Sequence, residues 1–337
     1  MALPSTDPLL PIGVIAGDPQ DRGAAQGHSE ADGDEGARAV AAVWAATLIF
    51  STGPVVIALA TASGPVLSFW RMWIGVPLMA TAALLNVRRS TRRPSPRGLR
   101  LAVLAGIGFG CHQFTLMTAL RTTSVVDVTL MNTLCPIVVG ALAAPLFGER
   151  PGVAFRLWSL VAMAGAAGVA FVGSTGATGN PKGMALAATN VAFYSVYFVW
   201  SKQARAHIDT WPFLFVAFTV SALVVSAFAL VGGAPILSIT SRDLFIAFVV
   251  AAGPGLVGHG MMTWSLKFVP ANVPPVVMLT IPLFSGAMAW AFAGQSVTVL
   301  KAAAGAFTLG GVLGAVRSSG GASPDAVTEA LVLAEEV

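Results

Sequence analysis

Apolar residues in this chain come in long runs, not in the short alternating stretches of a soluble sheet. Ten runs stand out: 38–60, 64–86, 99–120, 123–147, 154–174, 181–204, 211–231, 243–265, 269–293 and 297–316. Roughly 20 apolar residues in a helix cross the hydrocarbon of a bilayer. There the backbone must satisfy its own hydrogen bonds, so such runs are helices. A closed barrel would need segments of about ten residues with alternating polarity, and the sequence has none. The pattern predicts an all-α polytopic membrane protein with ten transmembrane helices.

The fourth run holds a weak point, "LMNTLCPIVVG" at 130–140. Pro136 lacks a backbone donor and is expected to kink or break its helix. The same defect returns later. "ALRTTSVVDVTLMNTLCPIVVG" at 119–140 aligns with "SLKFVPANVPPVVMLTIPLFSG" at 265–286 at a constant offset of 146. Arg121 then meets Lys267, Pro136 meets Pro282, Gly140 meets Gly286, and Gly165 meets Gly311. Fixed-period self-similarity marks an internal repeat. Each copy has five runs, an odd number, so the second enters the membrane upside down. Two inverted repeats, 38–174 and 181–317, are the signature of secondary transporters. Pro136 and Pro282 are then paired hinge candidates.

Composition fits this picture. The chain is 55% hydrophobic and 10% charged, with a mean hydropathy of +0.78. Soluble domains carry about 25% charged residues. Seven of the 15 acids lie before residue 37 and four lie after Ser323. Residues 1–37 read as a disordered acidic tail and 318–337 as a second tail. The start lacks the basic and apolar regions of a signal peptide. Placing both termini in the cytoplasm puts 14 Lys and Arg residues on the inner side and four on the outer, which fixes the orientation. The arginine cluster from Arg88 to Arg100 is an inner loop of that kind, not a nucleic-acid site. Cys111 and Cys135 both lie in apolar runs and form neither a disulfide scaffold nor a metal motif.

The sequence resembles the EamA family of the drug/metabolite transporter superfamily. The basic residue after "AL", the Pro136 helix, Gly148-Glu149 and the spaced glycines of "LVAMAGAAGVAFVG" carry the resemblance, as do Trp44 in "VWAATLIFSTGPVVIALA" and Arg71 in "SFWRMWIG". It covers roughly 38–317. In the second copy Gln295 replaces the acid and Ala217 stands opposite Arg71. The resemblance implies transport of small solutes such as amino acids, nucleotide-related metabolites or sugars.

Arg71 lies inside a span, where a cation is a functional candidate by default. It either binds a carboxylate or phosphate, pairs with Asp127 as an outer gate, or snorkels to the interface. His112 and His259 lie deep in repeat-related runs, one residue out of register. They either bind solute or a coupling proton, or simply pack. Asp127 is a proton acceptor or a helix-start carboxylate. Arg121 and Lys267 are interface anchors or gate charges. Glu149 is expected to pair with Arg150 or Arg156. Trp44, Asn132, Asn190, Tyr194, Tyr197, Trp264 and Thr280 line a central cavity or pack between helices.

No ATP-binding loop, H-E-x-x-H motif or G-x-S-x-G elbow is present. "GPGLVG" at 253–258 fits the dinucleotide pattern in form but lacks the strand–turn–helix setting. The sequence thus favours a secondary transporter exporting small organic metabolites, without cofactor or metal, with protons as a candidate coupling ion. A passive channel is the runner-up, ahead of an intramembrane enzyme or sensor. Oligomeric state and substrate are not readable from the sequence.

Overall fold

The computed structural model of the chain describes residues 19–57, 59–87, 94–123, 128, 131–172, 180–293 and 298–319. Among them the chain is helical, with no strand. The helices are α1 (Pro19–Ile57), α2 (Gly64–Val87), α3 (Pro96–Thr122), α4 (Cys135–Phe147), α5 (Val153–Val172), α6 (Pro181–Ala204) and α7 (Thr210–Val231). Then come α8 (Ser241–Val250), α9 (His259–Ser265), α10 (Val273–Val277), α11 (Ile281–Ala293) and α12 (Val299–Ser318). A π-helical turn, Ala251–Gly258, joins α8 to α9, and a 3-10 turn, Met278–Thr280, joins α10 to α11.

Several helix starts follow local rules. Ser95 Oγ accepts from the Gly98 amide, with Pro96 in the first turn of α3. Asn180 Oδ1 accepts from the Lys182 amide ahead of α6, and Thr240 Oγ1 accepts from the Asp243 amide ahead of α8. Each side-chain oxygen satisfies a donor that the first helical turn leaves unpaired. Helix α1 begins at Pro19, so it runs back through the acidic segment that the sequence pattern assigned to a tail.

Six helical stretches are long and apolar enough to cross a membrane: Glu35–Ile57, Gly64–Asn86, Pro96–Leu120, Pro181–Ala204, Thr210–Val231 and Ser241–Ser265. Three apolar helices are shorter: Cys135–Phe147, Val153–Gly168 and Val273–Met288. Among the described residues, six of the ten spans of the sequence pattern therefore stand as long apolar helices. The continuous fourth and ninth runs differ most, and proline is the reason. Pro136 and Pro282 are each the second residue of a helix, α4 and α11, and not kinks inside one. In the first turn a missing amide proton leaves no acceptor unsatisfied. The interruption falls just before each proline, at Thr133–Leu134 and at Met278–Thr280.

Helices α2, α3, α6 and α7 pack as a tight group, α5 packs along α12, and α1 packs on α8, the π turn, α9 and α11. Glycines let these backbones approach. A Cβ on Gly106 would meet the Ala217 carbonyl of α7 at 2.7 Å, and one on Gly165 would meet the Thr308 amide of α12 at 2.5 Å. A Cβ on Gly311 would collide with the backbone of Ala162. Without water to drive helices together, such close packing is a main source of association in lipid.

Gly310 supplies the control, since nothing lies within 4 Å of its would-be Cβ. Gly311→Leu is expected to lower the midpoint of thermal unfolding in detergent by several degrees and reduce the folded yield. Gly310→Leu should leave both near wild type. Scanning fluorimetry with size-exclusion chromatography checks the pair.

Candidate functional site

The two repeats pack against each other in matching ways. Helix α3 runs antiparallel to α6, with Gly108 close to the backbone of Phe193 and Tyr197. Helix α1 runs antiparallel to the α8–α9 segment, where Gly53 approaches Pro254 and Gly258 approaches Phe50. These contacts correspond at the offset of 146, so the sequence repeat is also a repeat of packing.

Where the four partners converge, rings gather around Phe109 of α3. Its ring centroid lies 5.6 Å from His112, 4.7 Å from Tyr197, 4.8 Å from His259 and 5.3 Å from Phe218. The His112 ring lies 4.6 Å from Tyr194, and His259 lies 5.0 Å from Phe50. Tyr197 Oη and His259 Nδ1 are hydrogen-bonded at 3.2 Å. Both histidines are nearly closed off from solvent, 9% and 5% exposed. The fold therefore brings together the two histidines that the sequence paired.

The one-residue slip between them has a steric cause. At the repeat offset, His112 corresponds to Gly258, whose Cβ would press on the Phe50 ring at 2.6 Å. A side chain cannot stand there, and the imidazole sits on the next residue, His259.

Helix α6 supplies a polar stripe at Asn190, Tyr194, Tyr197 and Ser201, spaced to share one face. The Asn190 Nδ2 donates to Asn132 Oδ1 at 3.0 Å, just before the α4 proline. The Tyr194 hydroxyl donates to Met278 Sδ at 3.3 Å, in the 3-10 turn before the α11 proline. One face of α6 thus touches both helix interruptions and His259. Asn132 is itself exposed, and the Thr280 hydroxyl donates to the Val277 carbonyl at 2.8 Å within its own turn. Trp44 packs at the edge of the Phe284 ring, 6.5 Å between centroids, and Trp264 packs on Phe268 at 5.0 Å.

Arg71 lies on the face of α2 that meets this cluster. Three residues before it, the Ser68 hydroxyl donates to the Gln113 carbonyl of α3, at 3.4 Å. Four residues after it, the would-be Cβ of Gly75 lies 3.0 Å from the Phe218 ring of α7. The guanidinium is 6% exposed, with its Nε buried and unpartnered, and it acts electrostatically on both histidines.

Two polar contacts join the repeats at opposite ends of the helices. At one end the Asp243 carboxylate accepts from the Thr61 amide at 2.9 Å, the Thr61 hydroxyl at 2.7 Å and the Ala62 amide at 3.1 Å. At the other end Glu149 forms an ion pair with Lys202 at 2.6 Å and accepts from the Ala271 amide at 2.8 Å. Lys202 also donates to the Val269 carbonyl at 2.7 Å. This corrects the expectation that Glu149 pairs with Arg150 or Arg156. Gly148 ends α4 with a left-handed φ of 69°, which turns the chain so that Glu149 faces the end of α6.

Asp127 and the side chain of Arg121 lie outside the described residues. Lys267 is exposed, its Nζ 4.9 Å from the Phe268 ring centroid. Sequence reasoning missed Phe109, Phe50, Phe218, Lys202, Thr61 and Asp243. Phe109 had a signal, since it lies one turn before His112 on the same face. Asp243 had one too, as one of only four acids in the apolar body.

Repeated helices and a buried polar centre define a multi-pass membrane protein of the transporter type. The chain belongs to the EamA-like transporter family, whose model matches residues 37–171 and 181–317. Among solved structures, one described only as "Crystal structure of protein" is 21% identical and superposes with a TM-score of 0.70. That match covers 83% of this chain and 97% of the other, and it shows the fold. No curated protein matches the chain.

The Glu149–Lys202 contact is partly buried, and measured couplings between contacting residues run about 0.5–3 kcal/mol. A double-mutant cycle with Glu149→Gln and Lys202→Met, followed by unfolding in detergent, should give a coupling of about 1 kcal/mol or more. A cycle of Glu149 with Arg150 should give a coupling near zero.

Proposed function

We propose that this protein is a secondary transporter that exports small organic solutes by alternating access between its two repeats. The observation that carries the reading is the convergence of His112 and His259, from equivalent places in the two repeats, on one buried aromatic and polar cluster. A site built from both repeats changes shape whenever one moves against the other.

The two end contacts supply the gating elements. Asp243 closes on the loop between α1 and α2 at the outer face, in the orientation with cytoplasmic termini. Glu149 and Lys202 close the cytoplasmic face. Both are made in this structure, and each must open in turn for solute to pass. A continuous pore has no use for closures at both ends. The helix starts at Pro136 and Pro282 are the hinges, because a segment entered through an irregular turn can tilt without breaking helical hydrogen bonds. His112 and His259 are the candidate carriers of a coupling proton.

Proteoliposomes containing the full chain should take up or release a small organic solute faster than empty liposomes. A folded sample that moves none, from a panel spanning charged and neutral metabolites, with and without a pH gradient, would overturn the reading. The gates predict opposite side-specific effects. A released closure raises the population open to its own side, and apparent affinity scales with that population. Asp243→Ala should strengthen apparent affinity severalfold for solute offered at the outer face and weaken it at the inner face. Glu149→Gln should do the reverse.

A further inference from the structure

We infer that the transported solute carries an anionic group, a carboxylate or phosphate, which docks on the Arg71 guanidinium after entering through a basic vestibule at the α6–α7 end. This rests on the transport reading and names the chemistry of the same site.

Arg71 is the first observation. It makes no hydrogen bond or ion pair with any described residue, although it is 94% removed from solvent. A charge buried in an apolar setting is costly unless something pairs with it. The acids of the apolar body do not serve. Glu149 is engaged by Lys202 and Ala271, and Asp243 by Thr61 and Ala62. Asp209 precedes α7 and has a partner of its own. Asp127 lies outside the described residues. The histidines beside Arg71 add positive charge when protonated and neutralise nothing. Other unpartnered polar atoms sit close by in α3, at His112 Nδ1 and the buried Gln113 amide nitrogen. The buried Asn190 Oδ1 is unpartnered as well, but a neutral amide oxygen does not balance the Arg71 charge, and a solute anion is the missing counter-charge. Arginine suits this role, since its planar fork matches carboxylate and phosphate oxygens two at a time.

The vestibule is the second, independent observation. A cavity of about 400 Å³ opens where α6 ends, bounded by Lys202, Arg205, His207, Lys267, Phe147 and Leu266. No carboxylate is among its lining residues, although the Lys202 ammonium is already paired with Glu149. Its size is in the range of small-molecule sites. A concave mouth lined by one sign of charge concentrates solutes of the other sign. In the proposed orientation this mouth faces the cytoplasm, where an exporter collects its cargo.

The test measures equilibrium binding to purified full-length protein, by calorimetry and thermal shift, and needs no flux. The probes are acetate, benzoate, inorganic phosphate and phenyl phosphate, set against benzyl alcohol and benzylamine. At least one anion should bind and stabilise the protein, with the neutral and cationic analogues of the same ring at least tenfold weaker. The choice between carboxylate and phosphate falls out of the same series. Arg71→Gln should weaken the anion at least tenfold, and Arg71→Lys should retain part of the affinity while keeping the charge that the fold accommodates. Lys267→Gln should slow anion association with the purified protein at low ionic strength, read as the on-rate, with the effect fading as salt is raised. The inference is overturned if no anion binds, if benzyl alcohol binds as well as benzoate, or if folded Arg71→Gln and Arg71→Lys both bind the anion as wild type does. Transport of neutral solutes alone would overturn it while leaving the transport reading intact.

Discussion

A backbone amide or carbonyl deep in a bilayer has no water to turn to, and the arrangement of this protein follows from where its helices stop meeting that demand. Irregular backbone at such depth is tolerated only where protein or a water-filled cavity covers it. The interruptions before Pro136 and Pro282 and the π turn at Ala251–Gly258 all fall against α1 or α6, the first helices of the two repeats. Pro254 lies inside the π turn, so the lost donor and the widened turn belong together. The interruption before Pro136 and the π turn are therefore also places where the repeats touch, whereas the one before Pro282 meets α6 within its own repeat.

Inverted symmetry makes the two ends equivalent in backbone but not in chemistry. Asp243 at the start of α8 holds Thr61 and Ala62 through three hydrogen bonds. At the repeat offset the same position is Arg97, at the start of α3, beside His207 and Ile208. There the Ser95 amide donates to the His207 carbonyl at 3.4 Å, with Gly98 allowing close approach. Glu149 holds Lys202 and Ala271, and its counterpart positions are Gln295, Val56 and Val125, which offer no ion pair. Each end is thus joined by its own chemistry, although one duplicated fold built both.

The repeat, the all-helical class and the pairing of His112 with His259 were readable in the sequence because each is a matter of order and spacing. The partner of Glu149 was not. Arg150 and Arg156 are near in sequence, but a single left-handed glycine at 148 redirects the carboxylate to a residue more than 50 positions away. The prolines were readable as weak points but not as to their form. Both an internal kink and a fresh helix start accommodate a proline. Only the packing of α6 against both interruptions selects the second. Arg71 was legible as a buried cation, whereas its lack of a carboxylate partner is a statement about all of its neighbours and needs the fold.

The centre of the molecule shows why a symmetric fold cannot keep a symmetric site. Phe109 stands at the hub of the ring cluster, and the equivalent residue in the second repeat is Gly255. Close to a pseudo-twofold axis a side chain meets its own counterpart, so two phenylalanines would compete for one space. One ring and one glycine resolve this. A Cβ on Gly255 would already lie 3.2 Å from the Val250 carbonyl and 3.9 Å from the Phe218 ring. The same logic moves the second imidazole from position 258 to His259, away from Phe50. Packing at the axis thus gives the first repeat the central ring and Arg71, and gives the second the π turn and Ala217 in the place of that arginine.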